Sequence, residues 1–341
     1  MQLTLAVHVV RGTIRESCHR LEAAVCDAHG RLVAGTEDSR RVTTFRSSAK
    51  PFQLLPLVER GHADRWSFRD EELAVMTASH TGSDHHRQIV SGILERIGAS
   101  PQHLVCGFHE PLDPEALAAV RARPELRSPL YNNCSGKHAG MVALAIAEGW
   151  AVEGYERADH PVQWLITATL AEVCGVEVED LLTGTDDCGV VVFAAPLTVI
   201  AHGYARLASA MTDGDARERA LNRIRKAMTS HPGTVGGAGR FSTALMEKTR
   251  GRIVAKGGAE GLECLGLPGR GLGIAVKAVD GAARPLPPAV IALLQQLGEL
   301  AEGDLERLGE LTRPILRNHA KLEVGRIEAV VEVLSDSARG A

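Results

Sequence analysis

Arg46-Ser47-Ser48-Ala49-Lys50-Pro51-Phe52-Gln53 is the stretch on which the reading of this chain turns. It sets a hydroxyl three residues ahead of an amine, where the pattern turns helical through Leu54-Leu55. Residues three apart share a helix face, so Ser47 and Lys50 are expected to touch while Ser48 and Lys50 are not. A serine hydroxyl is a poor nucleophile until a base takes its proton, and lysine can be that base. It must first be partly neutral, which requires burial or a second cation nearby. Arg46 and Lys256 are the candidate cations. Ser-x-x-Lys alone is a common spacing, and by itself it describes a serine capping a helix with a solvated lysine.

Two later strings give it weight. Ser79 stands in Ala78-Ser79-His80-Thr81-Gly82, and Lys256 in Ala255-Lys256-Gly257-Gly258. The order Ser-x-x-Lys, then Ser, then Lys-x-Gly is that of the serine hydrolases that include class A β-lactamases. Glycines after Lys256 permit close backbone approach, so a strand edge there can hold a substrate by its main chain.

Outward from these strings the chain divides into three. Residues up to 36 read as strands: Leu3–Val10 alternates, and Ala23–Asp27 with Leu32–Ala34 reads as a hairpin. Ser47 to about Ser230 is mainly helical. Ser83 opens a helix through Ile97, Asp113-Pro114 one through Arg123, and Asp159-His160-Pro161 one through Cys174, closed by Gly175. Asp213–Ser230 is a charged amphipathic helix, and Gly189–Phe193 is an apolar run that fits a short buried strand or a helix segment. Strands return at Arg252–Lys256, Gly271–Val279 and Arg326–Leu334, with a helix expected over Pro287–Glu302. The expected fold class is α/β. A mainly antiparallel central sheet would be built from the N- and C-terminal segments (1–46 and 250–341), with an inserted, mainly helical domain (47–249) carrying much of the active site.

Composition narrows the function. In 341 residues there are 38 Lys and Arg against 42 Asp and Glu, a net charge of −4, which leaves no basic stripe for nucleic acid and no polybasic membrane patch. Aromatic residues are only 4%, too few for a base-stacking surface. The first ten residues lack a basic segment ahead of an apolar run, so a cytoplasmic protein is expected. The seven cysteines show no Cys-x-x-Cys spacing, which argues against a disulfide framework. The densest polar string is Asn132-Asn133-Cys134-Ser135-Gly136-Lys137-His138. With Asp186-Asp187-Cys188-Gly189 it offers two thiols that could bind zinc, although Cys-x-x-Lys-His is not a standard zinc spacing. Pro232–Arg240 is glycine-rich but lacks Gly-Lys-(Ser/Thr), so it is not a phosphate loop.

Together, Arg46–Gln53, Ser79-His80-x-Gly82, Cys106-Gly107-x-His109-x-Pro111, Asn132–His138, Asp186-x-Cys188-Gly189 and Lys256-x-Gly258-Ala259-Glu260-Gly261 resemble the rhizobial-type (class 3) L-asparaginases. The strings recur in family order along nearly the whole chain, and Cys-Ser-Gly-Lys-His is the most specific. The resemblance implies a β-lactamase/glutaminase-like fold, a homodimer, and hydrolysis of L-asparagine through two Ser–Lys tandems, Ser47 with Lys50 and Ser79 with Lys256. It also implies a zinc ion on Cys134, Lys137 and Cys188, with Asp186 beside it orienting the substrate. Arg46, His80, Asn133 and Lys137 complete the expected substrate contacts. Two departures stand out: Asp187 occupies a place where a small residue is expected, and Thr36–Arg41 lacks the family's Gly-Asp-Pro pattern.

The expected reaction is attack by Ser47 on the side-chain amide with Lys50 as base, then hydrolysis of the acyl-enzyme, with Ser79 and Lys256 relaying protons. Ser79 is the competing nucleophile. Glutamine is the alternative substrate. A β-lactamase or peptidase would share the chemistry, and a zinc-binding module without catalysis is the rival of another class.

Overall fold

A computed structural model describes residues 1–334. Its eleven strands are β1 (Gln2–Arg11), β2 (Ile14–Asp27), β3 (Leu32–Gly35), β4 (Val42–Thr44), β5 (Leu182–Thr185), β6 (Val191–Pro196), β7 (Val254–Gly258), β8 (Leu262–Leu267), β9 (Leu272–Ala278), β10 (Ile315–Arg317) and β11 (Glu323–Leu334). Eight form one sheet in the order β10-β11-β1-β3-β2-β9-β8-β7, and β4-β6-β5 form a second. All pairings are antiparallel except the single Gln2–Gly35 contact of β1 with β3. The main sheet therefore joins the two ends of the chain, as its strand pattern implies. Residues 335–341, which the sequence reading assigns to this sheet domain, lie outside the described residues.

Burial explains which strands were legible. β1 alternates, with Leu3, Leu5, Val7 and Val9 inward, the mark of a half-buried strand. β8 and β9 are buried along their whole length, so they show no alternation. Helix Leu197–Ser209 lies across β2, β8 and β9 and covers one face. β9 still shows as a strand by its Ile274-Ala275-Val276 run, whereas β8 has Glu263 among its apolar residues and does not. The helix expected over Pro287–Glu302 ends at Gln296, where Gly298 takes a left-handed φ of 74°, and a separate helix, Glu302–Leu308, follows beyond the expected span. β2 also begins at Ile14, further upstream than its apolar half alone suggests.

The helices are otherwise close to expectation. Asp84–Arg96, Pro114–Ala122 and Pro161–Cys174 follow Ser83, Asp113 and His160, and the last two of these cap residues accept a backbone N–H through their side chains. Helix Lys50–Glu59 is the hub, with every residue from Lys50 to Val58 buried. It packs against helices Ser135–Glu148, Pro161–Cys174 and Ala216–Ser230. A helix apolar on all sides belongs in a core, and here that core also contains Lys50.

Candidate active site

Ser47 lies in a short 3-10 turn, Arg46–Ala49, that feeds directly into helix Lys50–Glu59, with Pro51 in its first turn. The fixed φ of proline suits that position, and its missing N–H costs nothing there. Arg46 holds a positive φ of 46°, costly for a side chain with a Cβ. Its guanidinium is held by two carboxylates: Nη2 donates to Asp187 Oδ2 at 2.5 Å, and Nε lies 2.8 Å from Asp186 Oδ1 without the alignment of a hydrogen bond. Asp186 is itself fixed by a turn in which its N–H donates to Val190 O and its C=O accepts from Gly189 N–H.

The spacing argument pairs Ser47 with Lys50, but the structure pairs Lys50 with Ser79. Lys50 Nζ donates to Ser79 Oγ at 3.0 Å and to Ala78 O at 2.5 Å. Lys256 Nζ donates to the same Ser79 Oγ at 2.9 Å and to Gly257 O at 2.9 Å. One hydroxyl thus stands between two buried lysine amines. Ser47 makes no side-chain hydrogen bond among the described residues, and Ser48 Oγ turns away to Phe45 O. Where the 3-10 turn Arg46–Ala49 gives way to α-helix at Lys50, the long Lys50 side chain continues inward past Ser47 to the loop after helix Asp70–Met76.

Burial sets the charges here. Desolvation holds Lys50 below the usual lysine range; Lys137 adds to this, and Cys134 and Cys188 oppose it. Lys256 is pushed well below it, first by burial and then by the charges of Lys50 and Arg240. A base of this kind can take a proton from a hydroxyl near neutral pH.

Ser47 opens on a cavity of ≈ 380 Å³, room for an amino-acid-sized ligand. Arg46, His109, Asn133, Asp186 and Ala259 share its wall. His109 is a wall residue to which the sequence alone assigns no role. Its Nε2 accepts the Asn133 N–H at 2.9 Å, so its Nδ1 carries the proton donated to Glu110 O. Asn132, also without a role in the sequence reading, ties the wall together: it donates to Cys106 O and Gly107 O and accepts from Cys134 N–H. The only sequence signal for it was its place beside Asn133.

His80 and Lys137, both expected at the substrate, lie behind this wall rather than on it. His80 Nδ1 accepts the Gly82 N–H, so Nε2–H donates to Ser135 Oγ at 2.9 Å, and burial keeps the ring neutral. Lys137 Nζ donates to Cys188 Sγ at 2.9 Å and lies 3.9 Å from Asp186 Oδ2. Burial works against its charge, but Cys134, Cys188 and Asp186 hold its pKa above the usual lysine value. Cys134 is driven toward thiolate by the neighbouring Cys188, Lys50 and Lys137. Two sulfurs and one amine therefore converge, a donor set whose softness suits zinc. Among the described residues no group of three or more His, Cys, Asp and Glu could hold a metal, so such a site needs the lysine as its third donor.

The helix carrying Cys134 and Lys137 sits unusually close to the one that leads to Ser79. A Cβ at Gly136 would lie 2.1 Å from Val75 O, so only glycine fits.

A model of the family described as L-asparaginase II matches residues 7–329. The chain belongs to the L-asparaginase II family. As a member of that family it is an amidohydrolase acting on a small-molecule amide. No curated protein matches the chain. Among solved structures, it is similar to Mglu in its native form at 15% identity and a TM-score of 0.47, over 83% of this chain and 66% of that one. A β-lactamase from Mycobacterium bovis matches at 17% identity and a TM-score of 0.41, over 81% of this chain and 94% of that one. The Bacillus subtilis glutaminase YbgJ, in a covalent complex with 5-oxo-L-norleucine, matches at 13% and 0.35, over 83% and 89%. Among the described residues no helix is long and apolar enough to cross a membrane.

Proposed function

We propose that this chain hydrolyses L-asparagine to L-aspartate and ammonia, with Ser47 as the nucleophile. The observation that carries this reading is the position of Ser47. It is on the wall of the ≈ 380 Å³ cavity, free of competing side-chain bonds, at the head of the helix whose first residue, Lys50, is bonded to Ser79. Ser47 Oγ attacks the side-chain amide carbon while its proton passes into the Lys50–Ser79–Lys256 network. Ser48 N–H is already taken by Phe45 O, so the developing oxyanion would be met by another backbone N–H at the start of the Arg46–Ala49 turn. The C–N bond then breaks, and the same network returns a proton to the departing ammonia. Water hydrolyses the ester and restores Ser47. Asp186 takes the α-ammonium, and Arg46, kept charged by Asp186 and Asp187, takes the α-carboxylate.

One observation favours a second reading: Ser79 alone is bonded to both lysines, which suits a nucleophile as well as a relay. Zinc would be held by Cys134, Lys137 and Cys188, and would supply a fixed positive charge that orders the cavity wall beside Asp186. The test is ammonia release from asparagine and glutamine by wild type, Ser47→Ala and Ser79→Ala, with a chromogenic lactam as control. Wild type should release ammonia from asparagine and leave the lactam intact. No ammonia from either amide at millimolar concentration would sink the reading.

A further inference from the structure

Glu263 is a carboxylate in the buried strand β8, only 3% exposed, and the reaction above does not use it. Ser242 Oγ donates to its Oε1 at 2.6 Å, and Gly257 N–H donates to the same Ser242 Oγ at 3.0 Å. Glu263 is paired with Gly257 in the β7–β8 register. A Cβ at Gly257 would sit 2.9 Å from Glu263 Oε2, so the carboxylate occupies the space that any other residue would fill. The Gly257 peptide is therefore held at both ends: Ser242 takes its N–H, and Lys256 Nζ donates to its carbonyl.

The groups around this pair are few. Lys256 on β7 and Arg240, just before helix Phe241–Lys248, are the cations that act on Glu263, and β9 places Val276 beside it. Lys50 and Cys134 act on the charge of Lys256, and Cys264 on β8 and Tyr204 on helix Leu197–Ser209 are the other titratable groups that feel Glu263. Burial pushes the Glu263 carboxyl up to about 7, while Ser242, Lys256 and Arg240 pull it down. A glutamine would satisfy Ser242 equally well at less desolvation cost, so the hydrogen bond alone does not explain a carboxylate here.

We propose that Glu263 is a positioning residue for Lys256: through Ser242 and the Gly257 peptide it aims the lysine at Ser79, and it supplies the negative charge against which Lys256 gains and loses its proton. The catalytic part of this rests on the Ser–Lys reaction proposed above; the coupling of the two groups does not.

Carboxyl ¹³C NMR of the full chain tests the coupling without turnover. The Glu263 signal, assigned by its loss in Glu263→Gln, should titrate at higher pH in Lys256→Met than in wild type. An unchanged midpoint overturns the proposal. Ser242→Ala should also move the midpoint upward, and it provides a second variant should Lys256→Met fail to fold. In kinetics, Glu263→Gln should shift the kcat/KM profile for asparagine to lower pH by about one unit. It should also lower kcat at least tenfold, with KM within threefold and Tm undiminished. An active wild type whose pH profile coincides with that of Glu263→Gln defeats this inference and leaves the reaction standing. An inactive wild type defeats the reaction and leaves the NMR result to decide.

Discussion

Lys50 Nζ meets Ser79 Oγ at 3.0 Å across a sequence separation of 29, while Ser47, three residues before Lys50, is bonded to neither lysine. Ser47 thus faces the ligand cavity, and Ser79 joins the two amines behind it. Ser79→Ala should lower kcat for asparagine by about 10²- to 10⁴-fold with little change in KM, the range expected for losing a proton relay. Lys256→Met should do the same. The double variant should be far from additive, because the two act as one unit. Steady-state ammonia release measures all three.

Asp187 and Asp186 both hold Arg46, yet their surroundings differ. The Asp187 side chain is 90% exposed and that of Asp186 10%. Asp187→Ala should change unfolding stability by less than about 1 kcal/mol, as for an exposed ion pair. Asp186→Ala should raise KM for asparagine at least tenfold. Urea denaturation and Michaelis plots separate the two effects.

Gly136→Ala should destabilise the fold by about 3 kcal/mol, because its methyl group would drive helix Ser135–Glu148 off the Val75 carbonyl. Wild-type stability in that variant, measured by urea midpoint, would contradict the close approach.

The Glu263 carboxyl binds its proton more tightly folded than unfolded, since burial lifts it from 4.5 to about 7. The folded state then holds the extra proton between those values, so this group's contribution to stability falls as pH rises from 4.5 through 7. Lys256 is shifted the other way, so it disfavours folding below the lysine range and ceases to do so as pH rises toward its unfolded value. Unfolding midpoints from pH 4.5 to 7.5 should decline less in Glu263→Gln than in wild type. Parallel curves would refute the assignment.

Zinc content is a separate test. One ion per chain is expected in protein purified without chelator, lost in Cys134→Ser and Cys188→Ser and largely retained in Ser79→Ala. Metal analysis that finds none in wild type under these conditions would remove zinc from the account.

The sequence carried the architecture because β1, the β2–β3 hairpin and the capped helices announce themselves locally. Alternation exposes β1, while His160-Pro161 and Gly175 punctuate a helix. It concealed β8, where burial erases alternation and Glu263 interrupts the apolar run, and the helix break at Gly298. For the site, strings such as Ser79-His80 and Lys256-x-Gly258 located the chemistry but not its pairing. The i, i+3 rule put Lys50 on Ser47, yet a lysine side chain is long enough to reach past its own turn, and only the packing of the Ser79 loop on helix Lys50–Glu59 decides where it ends. Glu263 was invisible for a similar reason: nothing in Leu262-Glu263-Cys264 says that the carboxylate lies over Gly257.

The most direct test is covalent trapping. A diazoketone analogue of asparagine should alkylate the active-site serine, and peptide mapping by mass spectrometry should locate the adduct on Ser47, absent in Ser47→Ala and formed slowly in Ser79→Ala. An adduct on Ser79 that persists in Ser47→Ala would contradict the account.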